Sequence, residues 1–521
     1  MEILNNKALV VTTRRPHLVT ECITKSHIIE SKGDLHKVAV HWGLEEAQAL
    51  TKLKVKGVPS PIQKNYSWPG LFKPMAHQRD TANFLTLNTR AFCFNEQGTG
   101  KTASAIWAAD YLMEQKKIQR VLIICPLSIM QSAWQADLFK FVMHRKVGVA
   151  YGDRTKRIAV IDSDAQFVVI NYDGVEIVAN DIARNNFDLI IVDEANAYKT
   201  NTTKRWKTLN HILTPRTWLW MMTGTPAAQT PTDAFGLAKL CVPDNVPRFF
   251  GSFRDQTMVQ MTKFKWLPRP DANRVVFDAL QPAIRYEKKD CLDLPEVTHV
   301  FRDAPLTAQQ EKYYKLLKKE MLMVAAGEEV STVNAAVNVN KLLQISGGAV
   351  YSDTGAVVEF DVSNRLRVVQ EVIEEASHKV LVFIPFTHTI ELLKAHLRGV
   401  GIACEVINGS VPVNKRTDIF KRFQEQADPH VLLIQPQAAS HGVTLTAADT
   451  IIWYAPVTSI ETYLQANARI DRQGQKNKMT IVHIKGSPVE TRLYGMLQNK
   501  LDVHTKIIDL YNQEVVDTVN K

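Results

Sequence analysis

The stretch from Phe92 to Thr102, which reads Phe-Cys-Phe-Asn-Glu-Gln-Gly-Thr-Gly-Lys-Thr, joins an apolar run to an alanine-rich segment through a glycine-containing turn. The apolar run predicts a buried strand, and the alanines after Thr102 predict a helix. Gly98 and Gly100, on either side of Thr99, allow the backbone to curl until successive N–H groups point to one place. Such a turn, at the positive end of a helix, binds phosphate.

A nucleotide is the ligand that this pattern predicts. Lys101 is expected to contact the β- and γ-phosphates of ATP, and the Thr102 hydroxyl to bind Mg²⁺. The complete pattern has glycine where Asn95 stands, and a glycine-rich turn without a ligand would look similar. The prediction therefore requires further nucleotide motifs downstream.

The length, net charge and cysteines of the chain limit the classes of protein to which it can belong. A chain of 521 residues is too long for one hydrophobic core and predicts about two to four domains. The net charge of +10 suits a polyanionic partner such as nucleic acid, although many basic proteins bind none. The six cysteines contain no Cys-x-x-Cys pair, which argues against a zinc ribbon and fits a reducing compartment.

No apolar run has the length of a membrane span, and the N-terminus lacks the apolar segment of a signal peptide. We therefore expect a cytoplasmic protein without a membrane partner.

Residues 1–66 carry short alternating apolar runs and predict a small strand-rich accessory domain. Its strands are expected at Ala8–Val11, His17–Val19 and Lys37–Trp42. The prolines and the glycine of Gly57–Pro61 predict a linker after it.

From Val121 onward, continuous apolar strands alternate with helical segments, which predicts a parallel sheet covered on both faces. Ligands bind such sheets at the carboxyl ends of the strands. The buried strand Leu189–Val192 is followed directly by Asp193 and Glu194. Asp193 is expected to hold Mg²⁺ through its water shell, and Glu194 to orient and deprotonate an attacking water. In isolation, the pair would also fit two solvated acids in a turn.

Polar residues near these elements are further candidates. The Gln78 amide both donates and accepts hydrogen bonds, which suits an adenine edge, although a helix-surface residue would look the same. Thr223 and Thr225 follow the strand Trp218–Met222. Their hydroxyls would contact the γ-phosphate, and the loss of this contact on hydrolysis would be transmitted to a bound nucleic-acid strand. A plain turn has a similar sequence.

A second series of strands and helices begins at Lys379 and contains no second phosphate loop. Within it, Arg469 and Arg472 are three residues apart, a spacing that predicts one helical face. Two guanidinium groups so placed would enter a nucleotide site as arginine fingers, whereas an ordinary charged helix has the same spacing. Between the two series, Lys263–Arg269 interleaves basic and aromatic residues, as a nucleic-acid contact or a solvated loop would.

The order of these segments resembles that of helicase superfamily two ATPases, and within them the Swi/Snf-type DNA translocases. The matching segments are Pro74–Gln78, Asn95–Thr102, Cys125–Ser128 with Trp134, Asp193–Asn196, Thr223–Pro226, Leu306–Tyr314 and Gln465–Gln475. The last segment matches the signature Gln-Ala-x-x-Arg-x-x-Arg-x-Gly-Gln at every fixed position.

The resemblance implies an α/β fold of two tandem RecA-like lobes with parallel sheets, which close on ATP and on the backbone of double-stranded DNA. Lys101, Thr102, Asp193 and Glu194 take the roles given above. The resemblance also assigns residues to three further groups. Those that bind ATP in the first lobe are Gln78, Gly98, Thr99 and Gly100. Those that complete the site from the second lobe are Gln465, Arg469 and Arg472. Those that couple the site to DNA are Ser128, Thr223, Thr225, Gly442 and Thr446.

Some positions depart from the family pattern. The Asp-Glu-x-His box ends in Asn196, and of the Gly-Gly-Glu-Gly-Leu-Asn-Leu segment only Gly442 and Leu445 are present. Long remodeller insertions and histone-reading modules are absent from the sequence, which favours a compact bacterial, phage or plasmid-type translocase over a chromatin remodeller. We expect it in the cytoplasm of a bacterial cell or a phage-infected host.

The sequence predicts four parts. These are the accessory domain (1–66), a first RecA-like lobe that binds ATP (67–240), a helical and irregular insertion with the inter-lobe linker (241–375), and a second RecA-like lobe (376–521).

The predicted function is that of an ATP-dependent double-stranded DNA translocase, a DNA-dependent ATPase that moves along or remodels DNA and displaces bound proteins. One alternative is a helicase that separates strands or remodels branches in DNA or RNA. Another is a nucleotide-switched binding module that acts on RNA polymerase. The predicted cofactors are ATP and Mg²⁺. The predicted partners are double-stranded DNA, including branched or fork DNA, and a protein such as RNA polymerase or a replication protein, and we expect a monomer.

Overall fold

The computed structural model describes residues 1–224, 226, 230–261, 266–291, 294–327, 332–351, 357–439, 443–472, 474–499, 510 and 513. The chain divides into two compact units, and the main boundary follows Cys291. In the described residues, no helix is both long enough and apolar enough to cross a membrane.

The first unit begins with an antiparallel sheet of four strands in the order β1-β2-β4-β3. Its strands are β1 (Glu2–Leu4), β2 (Ala8–Thr13), β3 (Ser26–Lys32) and β4 (Leu35–His41). The helices of this region are α1 (Pro16–Cys22), α2 (Leu44–Lys52) and α3 (Ile62–Asn65). Apolar residues of this sheet, such as Val38 and Val40, belong to the same hydrophobic core as residues of the larger sheet that follows.

The strand predicted at His17–Val19 is wrong, because these residues lie in α1. Pro16 occupies the first turn of that helix, where its fixed φ and missing N–H are tolerated. The short apolar run supplies one buried side chain, Val19, to the core instead of an alternating strand face.

The larger sheet of the first unit has seven parallel strands in the order β13-β5-β10-β9-β6-β8-β7. The strands from here to the end of the unit are β5 (Arg90–Cys93), β6 (Val121–Cys125), β7 (Val147–Ala150), β8 (Phe167–Asn171), β9 (Leu189–Asp193), β10 (Trp218–Met222), β11 (Met258–Gln260), β12 (Trp266–Pro268) and β13 (Ala283–Ile284). The central strands β6, β8 and β9 are buried along their whole length, as expected for a sheet covered on both faces.

The helices of this part are α4 (Ala76–Leu87), α5 (Lys101–Glu114), α6 (Ala136–Val142), α7 (Arg154–Ile161), α8 (Tyr172–Ile177), α9 (Ala179–Arg184), α10 (Lys204–Ile212), α11 (Asp233–Cys241), α12 (Phe250–Thr257), α13 (Ala272–Ala279) and α14 (Lys288–Cys291). Short turns of 3₁₀-helix lie at Leu127–Ile129, Ala195–Tyr198 and Pro243–Asn245, and a π-helix lies at Met130–Gln135.

The second unit contains a parallel sheet of six strands in the order β14-β21-β20-β17-β19-β18. The strands of this unit are β14 (Val297–Asp303), β15 (Ala349–Tyr351), β16 (Val357–Glu359), β17 (Lys379–Phe383), β18 (Cys404–Ile407), β19 (Val431–Ile434), β20 (Ala448–Trp453) and β21 (Met479–Lys485). Its helices are α15 (Ala308–Gly327), α16 (Thr332–Gly347), α17 (Ser363–Glu375), α18 (Thr387–Gly399), α19 (Val413–Glu425), α20 (Ile460–Asn467) and α21 (Pro488–Gln498).

The predicted fold class is confirmed: the chain has two parallel α/β sheets and a small strand-rich region at its N-terminus. Of the predicted insertion, the part up to Cys291 lies in the first unit, and β14 already belongs to the sheet of the second. The four-part division of the sequence stays a prediction.

Candidate active site

Three strands of the first unit end side by side at the carboxyl edge of the parallel sheet. Cys93, the last residue of β5, lies opposite Met222 of β10, and Met222 lies opposite Asp193 of β9. The phosphate loop follows Cys93, Thr223 follows Met222, and Glu194 follows Asp193. The register of the sheet therefore brings these sequence motifs together at one edge, where α/β sheets bind ligands.

The phosphate loop has the backbone that phosphate binding requires. Gly98 and Gly100 have φ angles of 86° and 82°, in the left-handed region that glycine adopts without strain. Gly100 is also the residue from which α5 starts, so that backbone N–H groups at the beginning of α5 are available for an anion. Thr99 is buried, and its hydroxyl donates to the Glu96 carbonyl at 2.8 Å.

The side chain of Lys101 points back over the loop. Its Nζ donates to the carbonyl oxygens of Asn95 at 2.8 Å and Glu96 at 3.4 Å. These carbonyls hold the ammonium group where incoming phosphate oxygens would replace them as partners. Thr102, one residue further, is partly exposed in the first turn of α5.

Gln78 lies in the first turn of α4, and both ends of its buried amide are bonded to protein. Oε1 accepts from the backbone N–H of Met75 at 3.0 Å, and Nε2 donates to the Thr99 carbonyl at 3.2 Å. His77 Nε2 lies 2.8 Å from the same carbonyl oxygen. In this conformation both side chains hold the phosphate loop. That Gln78 reads adenine stays a prediction.

Asn95 stands where the general phosphate-loop pattern has glycine, and its side chain has a structural role. Its side-chain amide donates to Thr81 Oγ1 at 2.8 Å and accepts from the backbone N–H of Tyr286 at 2.9 Å. The amide thus joins α4 to the segment after β13, which glycine could not do. In the sequence, Asn95 is a mismatch to the general phosphate-loop pattern, and no motif points to Tyr286 as its partner.

The acidic pair at the end of β9 is held from several sides. Asp193 is only 8% exposed; its Oδ1 accepts from the Glu194 backbone N–H at 3.0 Å and its Oδ2 from Trp134 Nε1 at 2.9 Å. The Tyr172 hydroxyl donates to the carbonyl oxygens of Asp193 at 2.6 Å and Glu194 at 3.2 Å. Glu194 has a φ of 49°, an unfavourable backbone conformation for a side chain of this size and one that is concentrated at functional sites.

Tyr172 is a permanent donor at this position. Burial, followed by the negative charges of Glu194 and Asp193, raises the pKa of the Tyr172 hydroxyl well above its ordinary value. The hydroxyl stays protonated at any physiological pH, so the two backbone carbonyls keep their partner. Tyr172 is not predictable from the sequence, because a tyrosine after a strand has no distinguishing pattern.

The donors present fit Mg²⁺. The Thr102 hydroxyl and the Asp193 carboxylate are hard oxygen ligands, and Mg²⁺ bound with nucleotides takes one or two such ligands besides phosphates and waters. Across the described part of the chain, no group of three or more His, Cys, Asp and Glu side chains is arranged for a metal.

The loop after β10 lies close to the phosphate loop. The Thr223 backbone N–H donates to the Cys93 carbonyl at 3.0 Å, and Thr223 is completely buried. The Gln97 amide packs on Gly224, where a Cβ would lie 3.1 Å from Gln97 Cδ. Gln97 is buried, and its Nε2 has no hydrogen-bond partner within the described residues. Thr225 lies outside the described residues, as do Lys263–Lys265, and Ser128 lies in the 3₁₀ turn after β6.

The second unit contains the predicted arginines, but the prediction that Arg469 and Arg472 share a helical face is wrong. Helix α20 ends at Asn467, and the chain turns after Ala468. The turn is stabilised by the arginines themselves, since Arg469 Nε donates to Gln465 O at 2.9 Å and Arg472 Nε to Ala468 O at 2.8 Å.

The two arginines differ in accessibility. Arg469 is 1% exposed, and its Nη1 donates to Val443 O at 3.0 Å. Arg472 is partly exposed, and its Nη1 lies 3.3 Å from Thr444 Oγ1. Arg469 therefore ties the end of α20 to the segment before β20, whereas Arg472 is the more available of the two.

The remaining candidates also lie in the second unit. Gln465 is buried in α20, with Nε2 at 3.2 Å from Glu461 Oε1. Thr446 Oγ1 lies 3.5 Å from Gln424 Nε2. Gly442 lies outside the described residues. The roles of these residues in nucleotide or DNA binding stay predictions.

The sequence matches two known family descriptions. "SNF2-related domain" matches residues 77–346, and "Helicase conserved C-terminal domain" matches residues 364–474. Together they cover the phosphate loop, the acidic pair and both arginines, as well as most of the remaining matching segments.

Individual relatives are distant. The chain is similar to "Chromodomain-helicase-DNA-binding protein 1-like" of Danio rerio, with 25% identity over 80% of this chain and 41% of that protein. It is similar to "Putative protein p41" of Acyrthosiphon pisum secondary endosymbiont phage 1, with 24% identity over 79% of this chain and 92% of that protein. The solved structure "Sulfolobus solfataricus SWI2/SNF2 ATPase core in complex with dsDNA" aligns with 19% identity and a TM-score of 0.43, over 87% of this chain and 96% of that chain.

The chain spans between 33% and 53% of the length of the larger relatives that it matches first. The SNF2-related match alone covers just over half of the 521 residues. The chain therefore belongs to the SNF2-related ATPase family of helicase superfamily two.

Proposed function

We propose that this protein hydrolyses ATP and uses the energy to move along double-stranded DNA. The observation that supports hydrolysis most directly is the register of β5, β10 and β9, which places the phosphate loop and Glu194 at the same edge of one sheet. A phosphate site without a general base would only bind a nucleotide. A general base next to it makes hydrolysis the better explanation.

Each residue has a defined task in the proposed reaction. The backbone N–H groups from Gly98 to Thr102 bind the β- and γ-phosphates, and Lys101 exchanges its carbonyl partners for phosphate oxygens. Glu194 accepts a proton from the water that attacks the γ-phosphorus. The bond from the γ-phosphorus to the bridging oxygen breaks, and ADP and phosphate result. Mg²⁺, which Thr102 and Asp193 would hold, supplies positive charge to the phosphates.

Charge and relatives support DNA as the partner. The net charge of +10 favours a polyanion, and relatives of this chain are named as helicases and as DNA-binding proteins. The phage protein p41, whose name states no activity, is matched over 92% of its length. Protein partners such as RNA polymerase, and the monomeric state, stay predictions.

The test is ATP hydrolysis measured without nucleic acid and with single-stranded DNA, duplex DNA or duplex RNA, beside Glu194→Gln. Strong stimulation by duplex DNA that disappears in the variant supports the proposal, and displacement of a DNA triplex would then show movement. Equal stimulation by single strands or RNA would indicate a strand-separating helicase. A rate that no nucleic acid changes would contradict the motor and indicate a nucleotide switch.

A further inference from the structure

Trp134 contacts the carboxylate of Asp193 from a neighbouring segment. Its Nε1–H donates to Asp193 Oδ2 at 2.9 Å, and its side chain is completely buried. The other oxygen of Asp193 accepts from the backbone of Glu194. The carboxylate therefore accepts a hydrogen bond at each oxygen, and the bond from Trp134 comes from a side chain.

The local backbone at Trp134 is unusual. Trp134 lies in the π-helix Met130–Gln135, which follows β6, and β6 is the direct neighbour of β9 in the sheet. A π-helix is rare and often marks a functional position, because its wider turn redirects a side chain relative to an α-helix. The indole packs in the core of the first unit and presents its N–H to the sheet edge.

We propose that Trp134 is a positioning residue for the cation that accompanies the nucleotide. Its N–H holds the Asp193 carboxylate in the orientation that receives Mg²⁺ and its water shell. The inference rests on the proposed function, since it concerns the same site. Outer groups that orient a metal-binding side chain affect metal affinity by roughly 10- to 100-fold.

Trp134→Phe is the variant that tests this role, because phenylalanine retains most of the buried ring and removes the N–H. The readout is the affinity of a fluorescent ATP analogue, measured with Mg²⁺ and with a chelator, together with direct Mn²⁺ binding by electron paramagnetic resonance. We expect affinity in chelator to stay at the wild-type level and Mn²⁺ binding in the presence of nucleotide to weaken by roughly 10-fold.

Trp206→Phe is the matched control. Trp206 is also buried, and its Nε1 donates to the Gly236 carbonyl at 2.8 Å, a group that the site does not use. This variant also loses a buried indole hydrogen bond, and its Mn²⁺ binding should equal that of the wild type. A folded Trp134→Phe protein with wild-type Mn²⁺ binding overturns the proposal. If the wild type itself shows no cation-dependent nucleotide binding, the proposed function fails instead.

If Trp134→Phe does not fold, the wild-type chain provides the test. Its nine tryptophans can be labelled with ¹⁵N and their indole N–H signals followed as Mg²⁺ is added to the ADP-bound protein. We expect one hydrogen-bonded indole signal to shift on addition of the cation. If no indole signal moves although Mg²⁺ binds, the inference is overturned.

Discussion

The Tyr66 hydroxyl donates a hydrogen bond of 2.6 Å to the completely buried carboxylate of Asp110, on the helix that the phosphate loop starts. The other oxygen of Asp110 accepts from Arg145 Nε at 2.5 Å and lies 3.0 Å from His144 Nε2. This cluster anchors α5 to the segments on either side of it and contributes to the stability of the first unit.

Removing the carboxylate should therefore destabilise the protein strongly. Asp110→Ala leaves the Arg145 charge and the Tyr66 hydroxyl without their partner, and we expect a loss of about 3 kcal/mol in the free energy of unfolding. Tyr66→Phe removes one bond and should cost about 1 kcal/mol. Urea denaturation measures both. Asp164→Ala, at an exposed pair with Lys146, is the control and should leave stability almost unchanged.

The glycine at the start of α5 should not accept a side chain. Gly100→Ala would place a methyl group against the Gln78 amide at a φ of 82°. We expect roughly 1–2 kcal/mol of strain and a marked loss of nucleotide affinity, which fluorescence titration would detect. Gly495→Ala in α21, where the added methyl meets nothing within 4 Å, should instead stabilise the chain by about 0.5–1 kcal/mol. Equal nucleotide affinity in Gly100→Ala and wild type would contradict this account of the loop.

Glu194 should matter for turnover more than for binding. Because it is proposed to take a proton from water, Glu194→Gln should lower kcat by roughly 10²- to 10⁴-fold while ATP affinity is retained. Steady-state hydrolysis and equilibrium binding separate the two effects. Glu371→Gln changes an exposed acid in the second unit and should leave both unchanged. A Glu194→Gln protein with normal kcat would require another base.

Substitutions of Arg469 and Arg472 should have different effects, the first mainly on stability and the second mainly on kcat. Arg469→Lys loses buried hydrogen bonds to backbone carbonyls, so thermal unfolding should show a loss of about 2 kcal/mol. Arg472→Lys, at a partly exposed position, should change stability little and lower kcat. The reverse result, with stability lost at Arg472 and kept at Arg469, would contradict the structural assignment.

A buried histidine makes the second unit sensitive to acid. Burial lowers the pKa of His483 from its usual value of 6.5 to about 4. Between these values the unfolded chain binds a proton that the folded chain does not, so stability should be full above pH 6.5 and fall as the pH drops toward 4. The resulting loss in the free energy of unfolding is roughly 3 kcal/mol.

Urea unfolding of the wild type and His483→Asn at pH 7.5 and pH 4.5 measures that contribution. The variant should be less stable at pH 7.5, because the bond with the Tyr463 hydroxyl is lost. Its stability should depend less on pH. A variant with the same pH dependence as the wild type would assign acid sensitivity to other groups.

The parallel sheet and the residues at its carboxyl edge could be predicted from the sequence, because buried strands appear as long apolar runs and the edge residues follow them directly. Leu189–Asp193 is a buried strand with the acidic pair at its carboxyl end, as the pattern predicted. The two-residue strand β13 could not be found in this way, since its pairing with β5 comes from a neighbour about 190 residues earlier in the chain.

Partners of single side chains were less predictable than elements. The side-chain amide of Gln78 is suited to bind a base edge, yet it is hydrogen-bonded to the backbone of Met75 and Thr99. These partners depend on where the phosphate loop lies, which the sequence pattern does not give. The spacing of Arg469 and Arg472 predicts a shared face only if a helix continues through them, and α20 ends before both. Trp134 belongs to a matching segment, but no pattern shows that its indole reaches Asp193.

The bond between Lys101 and the Asn95 carbonyl provides, within the loop, a partner for the ammonium group that the proposed phosphate ligand would replace. The ammonium group is neither free nor repelled by its surroundings before a nucleotide arrives. In the proposed reaction, ATP would therefore bind by exchange, and its affinity would reflect the difference between phosphate oxygens and backbone carbonyls as partners of Lys101. A loop built in this way is expected to release ADP and phosphate without passing through an exposed, unpaired charge.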